Sequence, residues 1–141
     1  MRSWLVDTGP LVAFLDANDS AHADVADRLD SFTGGLATTS AVITEALHFV
    51  SATSSGPRLL ADLVRASDLA VFDLCRPPEL DAAVALMEKY GDTPMDFADA
   101  TLVLLAEALG QNEILTLDRR GFSAFRTRRG RPFRLVLDRT D

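Results

Sequence analysis

Apolar positions along this chain alternate between two spacings. Short β-rich runs, SWLVDT (3–8), LATTS (36–40), LAVFDL (69–74), EILTLD (113–118) and FRLVLD (133–138), read as five strands. Between them, segments at about 9–16, 22–31, 40–52, 57–67, 78–90 and 94–109 read as helices, several with apolar residues three and four apart. SATSSG at 51–56 reads as a turn between two of these helices. Strand alternating with helix predicts an α/β fold, a mostly parallel sheet of four to five strands flanked by helices. WLV, LAVF and EILTL show little polar alternation, as expected for strands buried on both faces. Open sheets of this kind hold ligands at the carboxyl ends of their strands, and Asp7 and Asp118 both stand there. They share one crevice if the first and fourth strands are neighbours, a pairing the pattern leaves open.

Composition narrows the class. With 141 residues, 48% of them hydrophobic, the chain is expected to form one domain over 1–141 with a substantial core. No apolar run approaches the roughly 18 residues of a membrane span, and no secretory pattern precedes the first strand, so a soluble cytoplasmic protein is expected. Cys75 is the single cysteine, which rules out an internal disulfide or a CxxC site; it reads as a semi-buried thiol without chemistry. The net charge of −7 conceals an asymmetry. Residues 1–118 hold 19 acids and 6 bases, whereas residues 119–141 hold 2 acids and 8 bases, all arginine. Arginine matches phosphate oxygens with its planar fork, so Arg119, Arg120, Arg128 and Arg129 are candidate contacts to a phosphate backbone. The other reading is that these arginines pair with the acidic body.

Five acids stand where an acid is costly. Asp7 follows Trp-Leu-Val and precedes Thr8-Gly9-Pro10, where it could cap a helix or face a ligand. Thr8 could donate to a phosphate oxygen or bond the local backbone. Glu45, within AVITEALHFV, shares a helical face with Ala41, Val42, Phe49 and Ala52, so local structure does not easily excuse it; the other reading is that it points to water at the edge of that face near His48. His48, one turn along, has no second histidine at metal spacing and reads as structural. Asp96 and Asp99 open a helix, with Thr93 as the expected N-cap and Pro94 at N1; Asp96 then falls at N3, while Asp99 lies beyond the reach of capping. Asp118 ends EILTLD with Thr116 two residues earlier on the same face. Buried acids without partners would tend to become neutral, so several converging on one spot imply a cation.

Oxygen-only ligation suits Mg²⁺ or Mn²⁺ better than zinc, and such ions beside a phosphoester support metal-assisted hydrolysis. No Ser-His-Asp pattern, phosphate loop or GxGxxG is present. A haloacid-dehalogenase-type phosphatase would want a second acid two residues after Asp7, where Gly9 stands, and a receiver domain would want a lysine late in the sheet, whereas Lys89 precedes the fourth strand. The alternatives carried forward are a metal-dependent phosphatase of small phosphoesters and a catalytically inert acidic groove that docks a basic peptide.

WLVDTGPLVAFLD, TTSAVITEALHFV, TPMDFADATLVLLAEALG and ILTLDRRGF followed by RPFRLVL, in this order and spacing, resemble the PIN-domain ribonucleases, and among them the VapC-type toxins of type II toxin–antitoxin pairs. The resemblance covers essentially the whole chain. It implies a PIN-like three-layer sandwich and a metal-dependent endoribonuclease whose acidic quartet falls on Asp7, Glu45, Asp99 and Asp118, supported by Asp96, Thr8 and Thr116. It also implies an RNA substrate, a small cognate antitoxin, and assembly as a homodimer or a toxin–antitoxin hetero-oligomer.

Overall fold

The computed structural model describes residues 2–138, so Arg139 of the arginine-rich end lies outside the described residues. Five strands, β1 (Ser3–Val6), β2 (Gly35–Thr39), β3 (Ala70–Phe72), β4 (Glu113–Leu115) and β5 (Arg134–Leu135), form one sheet in the order β3-β2-β1-β4-β5. Every pairing is parallel. The neighbour relation left open by the sequence is resolved here: Leu5 is in register with Ile114 and Val6 with Leu115, and the Asp7 amide extends the ladder to Leu115 O at 3.0 Å.

Seven helices among the described residues flank the sheet: α1 (Thr8–Leu15), α2 (His22–Ser31), α3 (Ser40–Val50), α4 (Gly56–Ala66), α5 (Pro77–Lys89), α6 (Phe97–Leu109) and α7 (Arg119–Ala124). The short helix α7 occupies a stretch in which the sequence shows no helical period. The core runs through β1, β4 and α6, with Leu5, Ile114, Leu102, Val103 and Leu105 almost wholly buried. Each such side chain contributes about 1.5–3 kcal/mol by burial. Helix α6 is buried from Ala100 through Ala106, hence its unbroken apolar sequence, and it stops where Gly110 takes φ +65°.

Several expectations need correction. LAVF was expected to be buried on both faces, yet only Leu69 is buried and Ala70, Val71 and Phe72 are all exposed, because β3 is the outermost strand and has a neighbour on one side only. Cys75 follows that edge and is exposed rather than semi-buried. Helix α6 starts at Phe97, three residues later than expected. Asp96, not Thr93, is its N-cap: Asp96 Oδ1 accepts from the Asp99 amide at 2.8 Å while Asp99 Oδ2 accepts from the Asp96 amide at 3.1 Å. Two reciprocal bonds satisfy more of the helix's orphan donors than a single threonine hydroxyl could. Asp99 is therefore the N3 acid of a capping box, and the expectation that capping could not reach it is overturned.

Candidate active site

The carboxyl ends of β1 and β4 open into a groove of about 490 Å³ lined by Asp7, Asp19, Glu45, Asp96, Asp99 and Asp118. Three of these acids begin helices: Asp7 caps α1, Asp96 caps α6 and Asp118 caps α7. Acids are favoured at such ends, where orphan amides and the positive end of the helix dipole meet them. The capping and ligand readings of Asp7 are thus compatible, and Asp118 proves to be a cap as well: the cap fixes one carboxylate oxygen and sets the direction of the other.

Asp7 is held on both oxygens. Oδ1 accepts from the Thr8 amide at 2.8 Å and Oδ2 from Thr116 Oγ1 at 2.7 Å, and the Asp118 amide donates back to Thr116 Oγ1 at 3.0 Å. Thr116 therefore couples the two strand ends. Asp118 is fixed in turn, its Oδ1 accepting from the Gly121 amide at 3.0 Å. Gly121 permits this approach, since a Cβ there would run into the Asp118 carboxylate.

Glu45 reaches the groove from α3, but not from an apolar face. Val42 and Ala46 form the buried stripe of that helix, while Phe49 is 55% exposed and Ala52 is exposed. Glu45 itself is half-buried at the boundary between the two surfaces. His48 is exposed and lies edge-on to Phe49, consistent with a structural reading.

The electrostatics of the groove are uncompensated. No arginine or lysine lines it, and no ion pair reaches these acids among the described residues. Burial pushes the Asp99 carboxyl up to about 8, with Asp96 and Asp7 adding repulsion. Burial also raises Asp7, against the pull of Thr116 and the Thr8 amide. Glu45 is raised by burial, lowered somewhat by the Thr8 hydroxyl beside it and raised again by Asp96. Thr8 Oγ1 is buried without completing a hydrogen bond of ordinary geometry.

Oxygen donors alone, carboxyls driven towards neutrality and a buried hydroxyl with spare capacity fit a hard divalent cation. The acids line the groove rather than enclose a point: among the described residues, no three His, Cys, Asp or Glu side chains are grouped at the spacing of a single ion. The second acid a dehalogenase-type phosphatase would want is missing from the groove wall, where Gly9 stands two residues after Asp7 and packs beside Leu117.

The candidate arginines divide. Arg119 and Arg120 follow Asp118 at the start of α7, beside the groove, although Arg119 pairs with Asp138 at 2.5 Å. Arg128 is taken up by Glu107 at 2.9 Å, near the end of α6 opposite to Asp99, and Arg129 follows it there. The structure does not bring Arg128 and Arg129 to the groove. Arg120 and Arg129 make no ion pair among the described residues. Asp19, Phe49 and Leu117 line the groove without having been singled out by sequence. Asp19 lies in the turn after α1, and no periodic signal indicates which way such a residue faces.

Comparison with known proteins agrees with this layout. Residues 4–127 match the PIN domain family. The chain is 34% identical over 134 residues to ribonuclease VapC26 of Mycobacterium tuberculosis, covering 94% of this chain and 98% of that protein. Its fold is similar to the crystal structure of Mycobacterium tuberculosis VapC20, a sarcin-ricin loop cleaving toxin, with a TM-score of 0.74 and 17% identity over 82% of this chain and 89% of that one. With a parallel sheet and an acidic groove at its carboxyl edge, and with this likeness along nearly its whole length, the chain belongs to the PIN-domain family, in its VapC-type ribonuclease branch.

Proposed function

We propose that the groove hydrolyses RNA phosphodiester bonds with the help of a divalent cation, Mg²⁺ or Mn²⁺, held by Asp7, Glu45, Asp99 and Asp118. The observation that carries this reading is the convergence of these acids, from four separate segments, on one groove that no cation lines among the described residues. A bound cation would offset repulsion between the acids and a phosphodiester, and would activate water and stabilise the leaving oxygen. The chain's own residues position. Thr116 and the Thr8 amide fix the Asp7 carboxylate, Gly121 fixes that of Asp118, and the capping box sets Asp99. Thr8 Oγ1 retains the capacity to donate to a phosphate oxygen. Exposed Phe49 on the groove wall offers a flat surface to an unstacked base. Arg120, two residues after Asp118 and without an ion pair among the described residues, would meet the RNA backbone, with Arg119 beside it.

The test is cleavage of single-stranded RNA by wild type, Asp7→Asn and Asp99→Asn, with Mg²⁺ or Mn²⁺ and with EDTA. Wild type cuts only with the cation, and both variants fold but do not cut. Full activity in EDTA, or in both variants, refutes the assignment. Turnover of an aryl phosphate without any cut in RNA would favour the phosphatase, and metal-free affinity for a basic peptide without nuclease activity would favour the inert module. As the toxin of a toxin–antitoxin pair, the protein would be held inactive by a small partner encoded in the adjacent reading frame. Co-expression of that frame's product should abolish cleavage.

A further inference from the structure

At the amino ends of β1 and β5, the end of the sheet away from the acidic groove, lies a second and smaller cavity. It measures about 150 Å³ and is lined by Arg2, Trp4, Arg28, Ser31, Phe32 and Arg134. Liquid water occupies roughly 30 Å³ per molecule, so the space matches a handful of waters or one compact polyatomic group.

The hydrogen-bonding character of its wall is one-sided. Trp4 is 4% exposed, and its indole Nε1 is buried without an acceptor; the same is true of Arg28 Nε. Arg2 spends Nε and Nη2 on Glu113, at 2.7 and 2.8 Å, and Arg134 spends Nη1 on the same carboxylate, which leaves the remaining guanidinium N–H groups of both unspent. Arg28 has no ion pair among the described residues. Two of the three arginines thus share one carboxylate, and the third has none among the described residues, in a protein of net charge −7. Ser31 Oγ donates to Arg28 O at 3.2 Å and retains acceptor capacity, but the other unsatisfied groups are donors.

Buried donors without acceptors cost free energy and call for an occupant. Water is a poor one, because it must also place its own two hydrogens against a wall that mainly donates. An occupant that mainly accepts, carries negative charge and presents oxygens in several directions satisfies the wall, with Ser31 Oγ free to accept from a remaining hydroxyl. The Trp4 site is also braced: its ring stacks on Phe32 with centroids 3.8 Å apart and planes 3° from parallel, and the Arg2 guanidinium lies 5.8 Å over the Phe32 ring.

We propose that this cavity binds one phosphate-class oxyanion, either inorganic phosphate or the terminal group of a phosphate monoester, through Trp4 Nε1, Arg28 and the free edges of Arg2 and Arg134. The site is separate from the acidic groove and does not rest on the nuclease reading.

Trp4 is the only tryptophan, so its emission reports on the cavity directly. The full chain is titrated, in EDTA and at constant ionic strength set by chloride, with inorganic phosphate, a nucleoside 5′-monophosphate, the unphosphorylated nucleoside and acetate. EDTA keeps phosphate from being bridged to the acidic groove by a cation. A saturable change in Trp4 emission with phosphate, absent with the nucleoside and at least tenfold weaker with acetate, supports the site. Response to the monophosphate as well assigns it to phosphate monoesters, and response to inorganic phosphate alone assigns it to the free ion. Arg28→Gln should raise the phosphate Kd at least tenfold while keeping the wild-type melting temperature in chloride. If Arg28→Gln does not fold, Arg28→Lys serves, since it keeps the charge and removes the Nε fork. No saturable change with phosphate, equal binding of acetate, or wild-type affinity in the folded Arg28 variant overturns the proposal.

Discussion

At the carboxyl ends of β1 and β4, six carboxylates face one groove with no cation among the described residues, whereas at the amino ends of the same sheet Glu113 is clasped by Arg2 at 2.7 Å and by Arg134. The same residue types produce opposite electrostatics within one small fold. In the groove, burial and mutual repulsion raise Asp7, Glu45 and Asp99. At the other end, Arg2 holds the Glu113 carboxyl below its ordinary value. Charge that the fold neutralises within itself, as it does at Glu113, marks structure, and charge that it leaves concentrated marks a place for something from outside. Helix N-termini soften the concentration in the groove without removing it, since Asp99 remains raised despite its place at the start of α6.

The largest effects should come from the uncompensated end. Asp99→Asn and Asp7→Asn are expected to eliminate measurable RNA cleavage with the fold retained in circular dichroism. Thr116→Val, which removes the clamp on Asp7 Oδ2, should lower activity or cation affinity about 10–100-fold, the usual cost of losing a residue that orients a ligand. A Thr116→Val enzyme of wild-type activity and cation affinity would mean that Asp7 needs no such orientation. Phe49→Ala should weaken RNA binding by about 1–3 kcal/mol, raising KM with little change in kcat. An unchanged KM would place the bases elsewhere.

The comparison is sharpened by pH. A carboxyl near 8 in the fold and about 3.9 in the unfolded chain favours the protonated folded protein. Its contribution is complete below about pH 4 and is lost as pH rises through about 8. The Tm of cation-free protein should therefore decline between about pH 5 and 8, and Asp99→Asn should flatten that decline. Glu113 has the opposite sign, because its contribution is present at neutral pH and is lost as pH falls below its ordinary value of 4.5. Glu113→Gln should cost at most about 1 kcal/mol at pH 7, since its arginine partners are more than half exposed. A similarly small effect is expected at the turn after α6, where Gly110→Ala forces φ +65° on a residue with a Cβ and costs about 1 kcal/mol. Calorimetry checks both substitutions.

Much of this contrast is legible in the residues. The alternation of β-rich and helical runs is sufficient for a parallel sheet, and position alone put Asp7 and Asp118 at strand ends. Other features depend on competition that a linear pattern does not display. The start of α6 was set by the reciprocal bonds of Asp96 and Asp99, which outweighed Thr93-Pro94. The arginine-rich end suggested phosphate, yet Arg119, Arg128 and Arg134 are spent on Asp138, Glu107 and Glu113, acids that are close only in the folded chain. Exposure of Val71 and Phe72 follows from the place of β3 at the sheet edge, which its apolar composition hides.

By itself the sequence determined the class of fold and the presence of surplus carboxylates in apolar segments, because hydrophobic period and the cost of buried charge are local properties. Only the tertiary structure decided which charges meet. Pairing β1 with β4 placed Thr116 on Asp7 across 109 residues of chain and brought Asp19 to the same groove, while the opposite ends of those strands set Arg2 and Arg134 on Glu113. Electrostatic interaction depends on distance and burial in space, and neither is written along the chain.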